Sequence, residues 1–158
     1  MTEYRITKYN PKDRKNGVYG LQEWTSVSDI GKIFDAGVLT DKQYKTVEQA
    51  YIDCCIELLR GADIFELSLC NPEYYDANIL FPRILCTEID IRRFILCCLQ
   101  EKCWAKLEAK DFFLHFGYDY YMYIGTNLPC TMVDQIVKQH DLFCEMFPSP
   151  YRERDLID

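Results

Sequence analysis

The 158-residue chain has only two histidines, His115 and His140. A Cys-His nucleophile pair is therefore the one enzyme template it could fill cheaply, using His115 and a cysteine on a neighbouring strand. No nucleophile-elbow glycine pattern or orienting Asn or Asp at a recognisable spacing supports it. Cys-x-x-Cys is absent, so the paired ligand spacing of a structural zinc site is missing. There is no Gly-rich phosphate loop. The 25 acids offer many carboxylate pairs, but no pair is singled out. The expectation is a chain with no catalytic residues, no metal and no cofactor. No apolar run approaches the roughly 18 residues of a membrane span. The first residues, MTEYRITKYN, contain no apolar signal region, so the chain is expected to stay in the cytoplasm. Lys and Arg are the minority, 18 against 25 acids, for a net charge of −7. Phosphate-backbone binding needs clustered bases, so direct nucleic-acid binding is disfavoured. No internal repeat or low-complexity segment is present.

An apolar fraction of 49% and an aromatic fraction of 15% are ample for one core, and the length suits a single domain. The nine cysteines include two vicinal pairs, Cys54-Cys55 and Cys97-Cys98. An odd count without a spacing framework argues for reduced thiols in a cytosol. Adjacent cysteines bridge poorly, and most of the nine sit inside apolar patterns, where a thiol acts as a small hydrophobe.

The strongest strand signal is Lys102 to Gly125, KCWAKLEAKDFFLHFGYDYYMYIG. Cys103, Ala105, Leu107 and Ala109 alternate with Trp104, Lys106, Glu108 and Lys110, as in a half-buried strand. A turn at Lys110-Asp111 would oppose Ala109 to Phe112, Leu107 to Leu114, Ala105 to Phe116 and Cys103 to Tyr118, setting small residues against aromatic ones. A one-residue slip would put the phenylalanines on the wrong face. Beyond Gly117, where a bend or bulge is permitted, Tyr118, Tyr120, Met122 and Ile124 continue the core set. The outer face then carries Trp104, Lys106, Glu108, Phe113, His115, Asp119, Tyr121 and Tyr123. Two readings of that face stay open: a helix covers it, or it is an interaction surface, since Tyr and Trp with scattered charge mark interface centres.

Elsewhere, Tyr4 to Tyr9 reads as a strand ended by Asn10-Pro11, and Pro11 to Gly20 as a basic loop with an Asn16-Gly17 turn. Ser26 and Asp29 suggest a capping box for a short helix near Ser28 to Phe34. Thr40 caps a strong helix with Gln43 in the capping-box position. Its stripe of Tyr44, Val47, Tyr51, Cys54 and Leu58 is widened by Ile52, Cys55, Ile56 and Leu59, and Arg60 and a left-handed Gly61 close it. Asp63 to Cys70 reads as a strand with Phe65, Leu67 and Leu69 on one face, and Asn71 to Arg83 as a surface excursion. Thr87, with Asp90, opens a second helix to about Glu101, and Asn127 or Thr131 a third that buries Met132, Val133, Ile136 and Val137. Leu142 to Phe147 is a last strand, followed by a charged tail from about Arg152. The sum is an α+β fold, an antiparallel sheet of about five strands packed with three main helices.

Between Ala62 and Asp90 six acids face the single base Arg83, a balance of −5. That suits a basic protein partner. Four stretches, YRITKYNP (Tyr4 to Pro11), EWTSVSDIG (Glu23 to Gly31), KLEAKDFFLHFGYDYYMYIG (Lys106 to Gly125) and SPYR (Ser149 to Arg152), resemble small bacterial immunity proteins of polymorphic-toxin systems, including those of contact-dependent growth inhibition. The resemblance covers roughly a third of the chain and departs most at Cys70 to Cys86. It implies a cytoplasmic protein that binds a cognate toxin domain, often a nuclease, and blocks it; it carries no catalytic residues with it. With the charge pattern it makes Asp63, Glu66, Glu73, Tyr74, Asp76, Trp104, Glu108, His115, Asp119, Tyr121 and Tyr123 the candidate partner-binding residues. The alternative is a small enzyme or ligand-binding domain using the His115, Asp119 and Tyr121 face.

Overall fold

The computed structural model describes residues 1–152; residues 153–158, most of the expected charged tail, lie outside the described residues. Seven strands form one sheet: β1 (Thr2–Thr7), β2 (Leu67–Tyr74), β3 (Ile84–Leu85), β4 (Cys103–Ala109), β5 (Phe112–Phe116), β6 (Met122–Thr126) and β7 (Phe143–Met146). Their order is β7-β1-β6-β5-β4-β2-β3, and every neighbouring pair is antiparallel. Three helices pack with it, α1 (Asp41–Gly61), α2 (Glu88–Leu99) and α3 (Cys130–Gln139). The fold is α+β, with two strands more than the five expected.

The register explains the core. Tyr4 opposes Ile124, Ile124 opposes Leu114, Leu114 opposes Leu107, and Leu107 opposes Leu69. This row crosses five strands on one face. It packs in a single cluster with Tyr44, Tyr51, Cys54, Cys55 and Leu58 of α1, Phe94 and Ile95 of α2, and Val133 and Val137 of α3. Each such apolar side chain contributes about 2 kcal/mol by leaving water. The β4–β5 turn at Lys110-Asp111 forms in the expected register, with Ala109 opposite Phe112, and Asp111 takes the left-handed φ of 61°.

The helix starts follow their caps. Thr40 Oγ1 accepts from the Gln43 amide at 3.2 Å, and Gln43 Oε1 accepts from the Thr40 amide at 3.0 Å. Thr87 Oγ1 accepts from the Asp90 amide at 3.1 Å. Arg92 bridges Asp53 of α1 and Glu88 of α2.

Several expectations are corrected. Gly61 remains helical, and the left-handed residue is Asp63, φ 55°. Phe65 lies before the strand and is 72% exposed, whereas Leu67 and Leu69 are buried. The Ser26–Asp29 pairing caps only a three-residue 3-10 turn, Val27–Asp29; Ile33–Phe34 instead pairs with Gly37–Val38 as a tiny hairpin. β2 runs on through Asn71 to Tyr74, into the expected excursion. Its register with β4 slips between Cys70 and Glu73, where Asn71 is left-handed, φ 53°, and Pro72 sits. A bulge accommodates a proline that a regular ladder would not. Met132 is exposed on α3.

The outer face is covered by the chain's own C-terminal segment rather than by a helix. Ser149 reaches His115 Nδ1 at 2.9 Å, and its amide donates to Glu3 Oε2 at 2.8 Å. The Tyr151 ring packs against Trp104, His115 and Tyr123, and Arg152 lies over Phe113. No helix among the described residues is long and apolar enough to cross a membrane.

Candidate functional site

At one end of the sheet β5 and β6 are joined by Gly117–Tyr121. The long strand expected from Phe112 to Ile124 is broken here. Tyr121 N donates to Tyr118 O at 3.1 Å and Gly117 N to Tyr121 O at 2.7 Å. Both central residues, Asp119 (φ 58°) and Tyr120 (φ 62°), are left-handed, the geometry of the primed hairpin turns. A tyrosine rarely adopts it, because its Cβ crowds the following carbonyl. Three buried hydroxyls hold it there. Tyr9 Oη donates to Asp119 O, Tyr51 Oη donates to Tyr120 O, and Tyr120 Oη donates to Tyr44 Oη, each at 2.7 Å. Tyr51 Oη also accepts from the Lys8 amide at 2.7 Å. Burial pushes the pKa values of Tyr9, Tyr44, Tyr51 and Tyr120 well above the ordinary phenol value, so all four stay neutral.

The turn forms one wall of a cleft of about 470 Å³. The opposite wall is the end of β2 with Glu73 and Tyr75, and the floor comes from Trp104 at the start of β4 and from Cys98 and Leu99 at the end of α2. Trp104 is fixed by its Nε1, which donates to Phe116 O at 2.8 Å. The rim is aromatic: Tyr118 is 85% exposed and Tyr75 is 62% exposed. Tyr75 Oη donates to Glu73 Oε2 at 2.6 Å, which raises the tyrosine's pKa to about 12. Three carboxylates line the cleft, those of Glu73, Glu101 and Asp119, and no Lys or Arg does. Among the described residues none of the three makes an ion pair. The cleft thus holds uncompensated negative charge between aromatic walls, an arrangement suited to a cation.

Of the sequence candidates, Glu73, Trp104, Asp119 and Tyr121 come together here. Tyr121 is tied back by Arg14, whose Nη1 donates to its hydroxyl at 2.7 Å. Tyr74 is half-buried, its hydroxyl near Phe81 O; its neighbour Tyr75 takes the exposed place. Asp76 is occupied in its own turn, accepting from the Asn78 amide at 2.9 Å. Asp63 and Glu66 are exposed just before β2, Glu66 about 20 Å from Glu73 at strand rise, so the acidic stretch does not fold into one patch. Glu108 lies beside His115 on the outer face, at 3.4 Å from its Nε2. Tyr123 and His115 are buried, His115 completely, at 0% exposure. Burial lowers the His115 pKa to about 4 despite the neighbouring Glu108, so the ring is neutral. The face combining His115, Asp119 and Tyr121 does not exist as an accessible surface.

Tyr118, Tyr75 and Glu101 were not among the sequence candidates. Alternation continued past Gly117 places Tyr118 in the core set, whereas the turn that follows Gly117 puts it outside. Tyr75 is reached only by counting across the bulge at Asn71-Pro72. Glu101 ends α2 in a left-handed conformation, φ 59°, where glycine is the usual signal.

No family model, no curated protein sequence and no solved structure matches this chain.

Proposed function

We propose that this protein is a non-enzymatic inhibitor that binds a cognate toxin domain, of the basic nuclease kind, in the cytoplasm and blocks it by occlusion. The cleft between Gly117–Tyr121 and the end of β2 receives a basic segment of that domain. The observation that carries this reading is the unpaired carboxylate trio of Glu73, Glu101 and Asp119 beneath exposed Tyr75 and Tyr118, with no base in the lining. The sequence resemblance to immunity proteins supports it independently. A Lys or Arg entering the cleft gains charge-assisted hydrogen bonds and cation–π contact worth about 0.5–2 kcal/mol. Charge complementarity speeds association in a salt-sensitive way, while an aromatic anchor controls dissociation at about 2 kcal/mol.

The test is co-expression with the toxin domain encoded beside this gene, with growth and binding measured. Tyr118→Ala should raise Kd about 30-fold, the equivalent of such an anchor, without lowering Tm. Asp119→Asn keeps a residue tolerant of the left-handed turn and should slow association. Glu66→Lys, just before β2, should leave binding unchanged. A wild-type protein that neither binds nor protects ends the reading, as do cleft variants that bind like wild type.

The cleft volume falls within the roughly 300–1,000 Å³ of small-molecule pockets. That favours, as a second reading, a domain that takes a small organic cation there. A thermal shift with such cations, in a protein that gives no protection against the toxin, would select it.

A further inference from the structure

The helix α2 ends in a turn that brings three cysteines together. Lys102 N donates to Cys97 O at 2.9 Å and Glu101 N to Cys98 O at 3.0 Å. With Glu101 left-handed, this is the paired bonding of a Schellman motif. It folds the chain back on itself, so Cys103, the first residue of β4, faces Cys98 in the last turn of α2. Their sulfurs are 3.9 Å apart, and both residues line the cleft. The other six cysteines are placed differently. Cys54 and Cys55 are buried within α1, Cys70 and Cys144 are partly buried on β2 and β7, and Cys86 and Cys130 are exposed.

We propose that Cys98 and Cys103 form an oxidisable dithiol, a modification site in the cleft floor that closes to a disulfide on exposure to a peroxide. The separation is close enough for side-chain rotation to bring the sulfurs to bonding distance, and the bridge would span a turn already closed by two backbone hydrogen bonds. The two thiols have opposed characters. Hydrogen bonding from Cys98 lowers the pKa of Cys103, while burial and then Cys103 itself raise that of Cys98. Cys103 is therefore the more readily ionised thiol and the one that attacks, and Cys98 is the resolving thiol.

In the first step the Cys103 sulfur attacks one peroxide oxygen. The O–O bond breaks, hydroxide leaves, and Cys103 becomes a sulfenic acid. In the second step the Cys98 sulfur attacks the Cys103 sulfur. The S–S bond forms, the S–O bond breaks, and the departing hydroxide takes the Cys98 proton as water. Overall two thiols are oxidised by two electrons, and one peroxide is reduced to two waters.

The experiment uses the intact, fully reduced protein. It is treated with near-stoichiometric hydrogen peroxide, quenched, alkylated after unfolding, and analysed by intact mass and tryptic mapping. Two of the nine thiols should escape alkylation. The peptide Phe94–Lys102 should be linked to Cys103–Lys106, fragmentation should place the bond at Cys98, and dithiothreitol should reverse it. Cys97→Ser should preserve the link and Cys98→Ser should abolish it. If Cys98→Ser does not fold, fragmentation of the wild-type link still decides. A bond to Cys97, faster loss of Cys86 or Cys130 thiols, or over-oxidation of Cys103 without a link would each overturn the proposal.

Discussion

Acidification should destabilise this protein through one histidine. His115 is enclosed by the sheet and by the Ser149–Arg152 segment, and burial holds its pKa at about 4, against 6.5 for a free imidazole. The folded pKa lies below the unfolded one, so the unfolded chain binds the proton more readily. The contribution to stability is complete above about pH 6.5 and is lost progressively as pH falls toward 4. With these two values the loss at pH 5 relative to pH 7.5 is about 2 kcal/mol, and the full shift is worth about 3 kcal/mol. The anchor of the covering segment does not confound the window. Burial works to raise the Glu3 pKa, but the Ser149 amide and Arg152 together lower it, so Glu3 stays ionised at pH 5. The assay is urea unfolding of wild type and His115→Asn across pH 5 to 7.5, with the imidazole followed by NMR. The wild-type curve should fall more steeply than the variant's by about the amount above. Parallel curves, or an imidazole titrating at 6.5 or higher, would refute the burial argument.

Three further outcomes follow from particular contacts. Gly125 lies opposite Phe113, and a Cβ there would run into the Phe113 ring; Gly125→Ala should therefore cost about 1–3 kcal/mol in chemical denaturation, as overpacking does. Glu101→Gly should raise stability by about 0.5–1 kcal/mol, because glycine takes the left-handed φ without a Cβ penalty; a drop in Tm would show that the Glu101 side chain contributes more than the strain costs. Tyr51→Phe leaves the Lys8 amide and Tyr120 carbonyl without their shared partner and should cost about 2 kcal/mol or more, with unchanged stability counting against the hydroxyl as a support of the turn.

Local chemistry was readable from sequence, and long-range coverage was not. The caps at Thr40 and Thr87, the α1 stripe and the Ala109–Phe112 turn each rest on residues within a few positions of one another. Hydrophobic period and turn position decided them. The expected outer face holds for Lys106, Glu108, Phe113, His115 and Tyr123, which share one side of the ladder, but not for Asp119, which sits in the left-handed turn. What covers it, Ser149 and Tyr151, is about thirty residues or more away in sequence from most of what it touches, and no periodicity records that contact. Tyr118 failed for a different reason. An Asp119-Tyr120 pair gives no turn signal, because the left-handed conformation is imposed by Tyr9, Tyr44 and Tyr51 rather than preferred by the residues themselves.

That imposition bears on how the cleft would bind. Two non-glycine residues in the left-handed region cost about 1–2 kcal/mol each, and the turn persists because buried tyrosine hydroxyls, each contributing about 1 kcal/mol net, and the packing of Tyr120 between Trp24, Tyr44 and Tyr51 outweigh that cost. The backbone on either side of Tyr118 is therefore ordered before any partner arrives. Ordering a loop on binding consumes affinity, so a turn fixed in advance presents Tyr118 and Asp119 with most of that loss already met by folding. Strained conformations persist where the surrounding structure over-determines them, and they cluster at binding and switch regions. Here the strain coincides with the most exposed tyrosine and with a carboxylate that makes no ion pair among the described residues, on the wall of a cleft that combines three acids with aromatic walls. A turn serving chain reversal alone would be satisfied by Asp-Gly at lower strain. Tyr120→Gly relieves the strain but empties a buried aromatic site at a cost of about 3–5 kcal/mol; measured on the folded fraction, it should weaken partner binding if the turn is a binding element and leave the affinity unchanged if it is only a connection.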